Sequence, residues 1–373
     1  MLKKAAALLV VCVSVATWVS CGTTVSHFVY ASTPASNQIA AYREDPNSGV
    51  LTALAGSPFE AGNGVEAIAL HPTKKFLYAI NEGSSDISQF SISTLGAITE
   101  NNPAGRTPVT PGGTSPKFLV IDAAGGFMYV GNIASNNISV FSIDPSSGAL
   151  TQVPAPASKV CTGSPFQIGM TPLNMALSPA GNVLYVTGGG SGQQGIIQIF
   201  DLSAIANGCM TAIAGPAVPP GRSPVGLVIN SGGSILYTAN RLDNTISGYS
   251  IATDGSLSLI SGFPLSVSGL SGPDAMLIDN SGKYLYVANG LSNNLTALSI
   301  SSGGALTLLG NSPFGTASQP NFIASDPSGK HLFVGNQVGP AIESFSLDTG
   351  TGTLTSVASY SVGTVPSSIV VGQ

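Results

Sequence analysis

The chain has 373 residues, of which only 8% are charged, and its formal net charge is -5. No basic stripe is available to neutralise phosphates, which argues against nucleic-acid binding. Past residue 20 no apolar run reaches the roughly 18 residues a membrane-spanning helix needs, and the 46 Gly and 25 Pro point instead to short strands and many turns.

The first element reads as an address rather than as structure. MLKK is a short basic start, AAALLVVCVSVATWVS is an apolar run, and CGTT follows, so residues 1–21 have the pattern of an export signal. WVSC resembles a bacterial lipobox with Cys21 as the lipid site. Ser20 and Val19 fit that pattern, while Trp18 stands where Leu is usual. Ordinary signal cleavage is the second reading and an uncleaved anchor the third. Either main reading places the mature protein outside the cytoplasm: periplasmic, anchored to the outer membrane or secreted. Membrane contact is then expected only through an N-terminal lipid. Cys12 leaves with the signal, so Cys161 and Cys209 remain as an even pair in an oxidising compartment. A disulfide between them and two separate buried thiols both stay open, and their places near opposite ends of neighbouring repeats count against the bond.

From residue 22 to 373 the chain reads as one repeating domain. Tyr30, Tyr78, Tyr129, Tyr185, Tyr237, Tyr286 and Phe333 align at intervals of 47 to 56 residues. A period near 50 without helical periodicity indicates a propeller or solenoid. The sixth copy shows the unit: DAMLID (274–279), YLYVAN (284–289), LTALSI (295–300) and ALTLLG (305–310), separated by Gly, Ser and Asn turns. Four antiparallel strands per unit make a propeller blade. The first two strands are almost wholly apolar and are expected to pack between neighbouring blades. The third and fourth alternate more and are expected further out. HFVYAS (27–32) lacks a preceding first strand, and PSSIVV (366–371) is a first strand with nothing after it. Pairing the two closes an all-β, seven-bladed propeller of four-stranded blades and removes its exposed edges.

The pattern P-x-x-hydrophobic, then SGK-x-LYVAN, then SNN-hydrophobic, then G-x-L-T resembles the seven-bladed lactonase-family propellers. That group includes the 6-phosphogluconolactonase-like proteins and the related YVTN-type surface propellers. The resemblance covers residues 25–373 and implies sugar-lactone hydrolysis at the mouth of the central channel. YTANRLDNTISGYSI resembles the SNRG-x-x-SI segment of those enzymes, with Arg241 at the Arg position. Elsewhere the enzymes carry a His near an inner-strand start and an Asp-rich turn. Here that segment is SPKFLVIDAAGGFMYVGNIASNNIS, with Lys117 and Phe118 at the strand start and no Asp in the turn.

In a propeller, loops entering first strands and loops leaving second strands share the face around the channel mouth. This places Glu66, Lys117, Asn174, Asp274, Asn321, Ser367 and Ser368 there, with Arg241 and the strand-end Asn81, Asn132, Asn240, Asn289 and Asn336 nearby. Opening a lactone needs an activated water and a donor for the developing oxyanion. Glu66 or Asp274 is the candidate base, and Arg241 or Lys117 the candidate oxyanion or carboxylate donor. Asn174, Asn321 and Arg241 are candidate ligand-binding groups. The strand-end Asn residues suit turn-building instead. His71 and His331 fall on the face away from the mouth, and His27 begins the first blade. No cluster has zinc-ligand spacing, so no metal is expected, and no cofactor motif appears. GGGSGQQG (188–195) lacks the Lys-Ser/Thr and helix of a phosphate loop. The GSPF copies are read as shaping the exit from outer strands. The reading favoured is a monomeric, non-catalytic binding scaffold for a small molecule, glycan or protein at the channel mouth. The alternative is a lactone hydrolase acting there.

Overall fold

Each of the seven aligned aromatics lies in the second strand of its own sheet. The computed structural model describes residues 26–101, 107–108, 113–154, 163–189, 194–213, 219–339 and 341–372. The signal-like segment with Cys21, and Cys161, lie outside these. Blade 2 runs Val65–Leu70, Phe76–Asn81, Asp86–Ile92 and Ile98–Glu100. Blades 3 to 7 repeat this order, opening at Pro116, Pro172, Pro224, Pro273 and Ser318. Neighbouring strands pair antiparallel within each sheet.

Blade 1 is built from both termini. His27–Thr33 pairs with Gln38–Glu44 on one side and with Ser368–Gly372 on the other, in the register Phe28↔Gly372 to Ser32↔Ser368. The C-terminal segment is therefore the innermost strand of the first blade, and no inner edge is left open. Four of the seven sheets carry a short fifth strand that pairs back onto the third. Three of these follow the GSPF and NSPF segments. There Ser57, Ser164 and Ser312 accept hydrogen bonds from the backbone N–H of Ala41, Val140 and Ala297 at 2.8, 2.8 and 2.9 Å.

The core is divided rather than continuous. Seven apolar clusters lie among the described residues, one between each pair of adjacent blades. The cluster between blades 7 and 1 gathers Phe333 and Ile342 with Val29, Ala31 and Ile369. A ring with a gap would have one interface fewer, so this cluster is itself a mark of closure. Five of the seven second strands are buried along their whole length, and in the other two, Phe127–Asn132 and His331–Val338, only end residues are not. The first strands meet the sequence expectation only in part. Val65–Leu70, Pro172–Leu177 and Pro273–Ile278 bury only their first and fourth residues. They pack into the inter-blade clusters as expected, and they also border the axial cavity, which leaves their other residues partly exposed.

The aligned tyrosines latch one blade to the next. Tyr30, Tyr78, Tyr185, Tyr237 and Tyr286 donate their hydroxyls to the carbonyls of Gly96, Gly148, Gly255, Gly304 and Gly352, at 2.7 to 2.9 Å. Each glycine sits between the third and fourth strands of the following blade. Gly148 has φ +72°, and a Cβ there would stand 2.6 Å from the Phe76 ring, so the turn can approach only without a side chain. No helix among the described residues is long and apolar enough to cross a membrane.

Candidate functional site

The site is assembled by a repeated irregularity. In blades 2 to 7 the pairing of first and second strands skips one residue just after the strand opens. A bulge of this kind re-aims the extra side chain. The skipped residues are Glu66, Lys117, Leu173, Val225, Asp274 and Asn321, and Ser367 precedes the innermost strand of blade 1. All seven line one axial cavity of about 460 Å³. Going round the ring, five are polar, and Leu173 and Val225 form an apolar arc between Lys117 and Asp274.

Two ion pairs cross this ring by the same geometric relation. The residue following the strand-end Asn of one blade reaches the ring residue of the next. Glu82 follows Asn81 and lies 3.3 Å from Lys117 Nζ, while Glu66 Oε1 lies 2.5 Å from it. Arg241 follows Asn240, and its Nη1 lies 3.1 Å from Asp274 Oδ1. At the same position in blade 6 stands Gly290, where a Cβ would fall 2.4 Å from Asp274 Oδ2. The missing side chain leaves room for the carboxylate.

The electrostatics separate the two pairs. Burial raises the pKa of Asp274 to about 6, against the opposing pull of Arg241. At Lys117 burial works against the charge, but the carboxylates of Glu66 and Glu82 outweigh it and the pKa is raised. The Lys117 group is thus a neutralised cation, whereas Asp274 is a carboxylate poised just below neutral pH. The Arg241 side chain is 42% exposed, which leaves donors free beside Asp274.

The remaining sequence candidates divide by their partners. Asn174 lines the cavity, but its amide is occupied. Its Nδ2 donates to the Val225 carbonyl at 2.6 Å, and its Oδ1 accepts from the Met175 N–H at 2.7 Å. Asn321 lines the cavity, and its Oδ1 is buried without a hydrogen-bond partner. Ser367 donates to the Glu66 carbonyl at 2.5 Å, and Ser368 Oγ accepts from the Ile68 N–H at 3.4 Å. Both join blade 1 to blade 2. The strand-end asparagines are fully buried. Asn81, Asn132, Asn240 and Asn289 donate to side chains on their own third strand, and Asn336 to Glu343. His71 bonds Thr73 and the Gly125 carbonyl in the turn between first and second strands, and His27 and His331 begin second strands. None of the three lines the axial cavity.

Glu82, Leu173 and Val225 escaped the sequence reading. Glu82 had a signal, since it follows its strand-end Asn as Arg241 does. Gln337 occupies the same position in blade 7 and also lines the cavity. Cys209 is disulfide-bonded. Cys161, the candidate partner, lies outside the described residues, as do residues 190–193 of the Gly-rich loop.

Seven closed blades with a mixed polar ring across the axis define a seven-bladed β-propeller with an axial cavity. The comparisons narrow this class. The family model "Lactonase, 7-bladed beta-propeller" matches residues 52–166 and 174–371, and the chain belongs to that family. The 6-phosphogluconolactonase of Yersinia pestis (strain Pestoides F) is 26% identical over 233 residues, 61% of this chain and 61% of that protein. The aligned stretch thus spans less than two thirds of the curated relative. A putative 6-phosphogluconolactonase of Bacteroides fragilis superposes with a TM-score of 0.76 at 22% identity, covering 94% of this chain and 99% of the other. The periplasmic gluconolactonase of Pseudomonas aeruginosa superposes with a TM-score of 0.73 at 18% identity, covering 93% and 99%. At these identities the superpositions speak for the fold alone.

Proposed function

We propose that the protein hydrolyses a small, uncharged sugar lactone in the axial cavity, with Asp274 as general base and Arg241 as oxyanion donor. The observation that carries this is the pairing itself: a buried carboxylate with its pKa near 6, 3.1 Å from a half-exposed guanidinium, inside a cavity of monosaccharide size. Asp274 takes a proton from water as the water oxygen attacks the lactone carbonyl. Arg241 donates to the alkoxide that forms. When the ring C–O bond breaks, the leaving oxygen recovers the proton from Asp274, and the product is the open hydroxy acid. The Leu173–Val225 arc suits a sugar ring's apolar edge.

This reading is the hydrolase alternative drawn from the sequence. A non-catalytic scaffold gives no reason for a desolvated carboxylate beside an unsaturated donor. The substrate is read as uncharged because Lys117 is already held by two carboxylates and Arg241 is committed to the oxyanion, so among the described cavity-lining residues no further cation is left for a phosphate. The signal-like N-terminus supports a role outside the cytoplasm, where unphosphorylated sugar lactones are the fitting class.

The test is a panel of five- and six-membered aldonolactones, one 6-phosphorylated counterpart and simple esters, followed by proton release. We expect turnover of an unphosphorylated lactone, with no gain from the phosphate. Saturable binding of a sugar or lactone with no turnover across the panel would favour the scaffold and reject the hydrolase.

A further inference from the structure

We propose that His27, Glu44 and Asp326 form a zinc-class metal site that pins the closing blade to blade 7, at the end of the ring away from the axial cavity. His27 Nδ1 lies 3.2 Å from Glu44 Oε2 and 3.5 Å from Asp326 Oδ2, and the three ligand atoms lie within 4.8 Å of one another. Ligand atoms about 2.0–2.1 Å from a tetrahedral zinc ion stand roughly 3.3 Å apart, and the two distances from His27 are close to that.

The charge argues the same way. Glu44 and Asp326 are fully buried, and no Lys or Arg pairs with either among the described residues. Among those residues Glu44 meets only the imidazoles of His27 and His331, and Asp326 is held by backbone N–H groups and the Ser328 hydroxyl, so neither carboxylate faces a fixed cation, and one divalent ion would balance both. Glu44 Oε1 is buried without a hydrogen-bond partner. His331 Nδ1 stands 2.9 Å from it, also buried and also lacking a hydrogen bond.

The ligands are held in advance. His27 and Glu44 face each other in strand register. Asp326 Oδ1 accepts the backbone N–H groups of Lys330 and His331, both at 2.8 Å, and Oδ2 accepts the Ser328 N–H at 3.1 Å and the Ser328 hydroxyl, which a bound ion would share. A second cavity of about 540 Å³ includes Glu44 in its lining. One imidazole with two carboxylates suits zinc or a similar transition ion. Calcium and magnesium prefer all-oxygen shells with more ligands. Two ligands come from blade 1 and one from blade 7, so the ion would cross-link the seam where the ring closes.

The full chain is stripped with a chelator, dialysed against zinc chloride and measured by elemental analysis, calorimetric titration and thermal unfolding. The expected result is one zinc per chain and a rise in Tm of about 3–5 °C, reversed by chelator. His27→Gln and Glu44→Gln should each lose both effects, and magnesium should produce neither. Since either variant could fail to fold, X-ray absorption on zinc-loaded wild type gives an independent reading, with a shell of nitrogen and oxygen and one imidazole expected. Absence of stoichiometric zinc or of a Tm shift in the wild type would overturn the site. So would sulfur in the shell, or undiminished binding in a folded His27→Gln protein.

Discussion

Replacing Asp274 with Asn should lower kcat/KM for the lactone by roughly 10²- to 10⁴-fold and, at the same time, make the fold more stable at neutral pH. The loss follows from removing the proton acceptor while keeping the shape. The gain follows from burial. The folded-state pKa of Asp274 is raised from 3.8 to about 6, so the fold binds this proton more tightly than the unfolded chain does. Its contribution to stability is therefore full below about pH 4 and lost as the pH rises through 6. The gap corresponds to about 3 kcal/mol. Because the side chain keeps 12% of its exposure, about 2 kcal/mol is the better expectation for the relief. In a chain of this size that is about 3 °C in Tm. Calorimetry at pH 7.5 should show the variant melting higher, and at pH 4 the two melting together. A variant less stable than wild type at both pH values would mean that Asp274 is a structural ion-pair partner rather than a strained functional group.

A second large effect is expected at the seam of the ring. Ile369→Asp should destabilise the fold by at least about 4 kcal/mol, or prevent cooperative folding altogether. Ile369 is 1% exposed and packs in the cluster shared by blades 7 and 1. An aspartate there would bury an unpaired charge and loosen the strand that covers the inner edge of His27–Thr33. Leu259→Asp is the control, because Leu259 lies on an outermost strand and is 48% exposed. Its change should stay within about 0.5 kcal/mol. Denaturant unfolding of both proteins checks this. Equal, small effects would show that the C-terminal strand does not hold the ring closed.

The blade repeat was legible in the sequence because every unit uses the same second-strand phrase, and its reason is now physical. The aligned tyrosine is buried between sheets and bonds a glycine carbonyl one blade onward. The tyrosine was visible at the repeat period, but its partner was not, since the contact spans 66 to 70 residues. Closure was legible from the missing first strand at His27 and the spare one at Ser368.

The site was half legible. Polar residues at strand starts pointed to Glu66, Lys117, Asp274 and Asn321, and the bulge aims each of them into the cavity. A bulge leaves no mark in residue type, so Asn174 was grouped with them although it lies one position beyond its ring residue, Leu173. Leu173 and Val225 were passed over because only polar positions were read as functional. The first strands pack between sheets as their apolar character implied, but their partial exposure was not readable, because nothing in residue type marks the strand that also borders a narrow channel. His27, Glu44 and Asp326 were unreadable as a cluster because the closing seam brings together positions almost 300 residues apart.

The most direct measurement of the central claim is the pH dependence of kcat/KM for the wild-type protein on an unphosphorylated lactone between pH 4.5 and 7.5. The account predicts a plateau near neutrality and a fall of about tenfold per pH step below an apparent pKa of about 6, the value burial gives Asp274. A profile that stays flat down to pH 5 would contradict it.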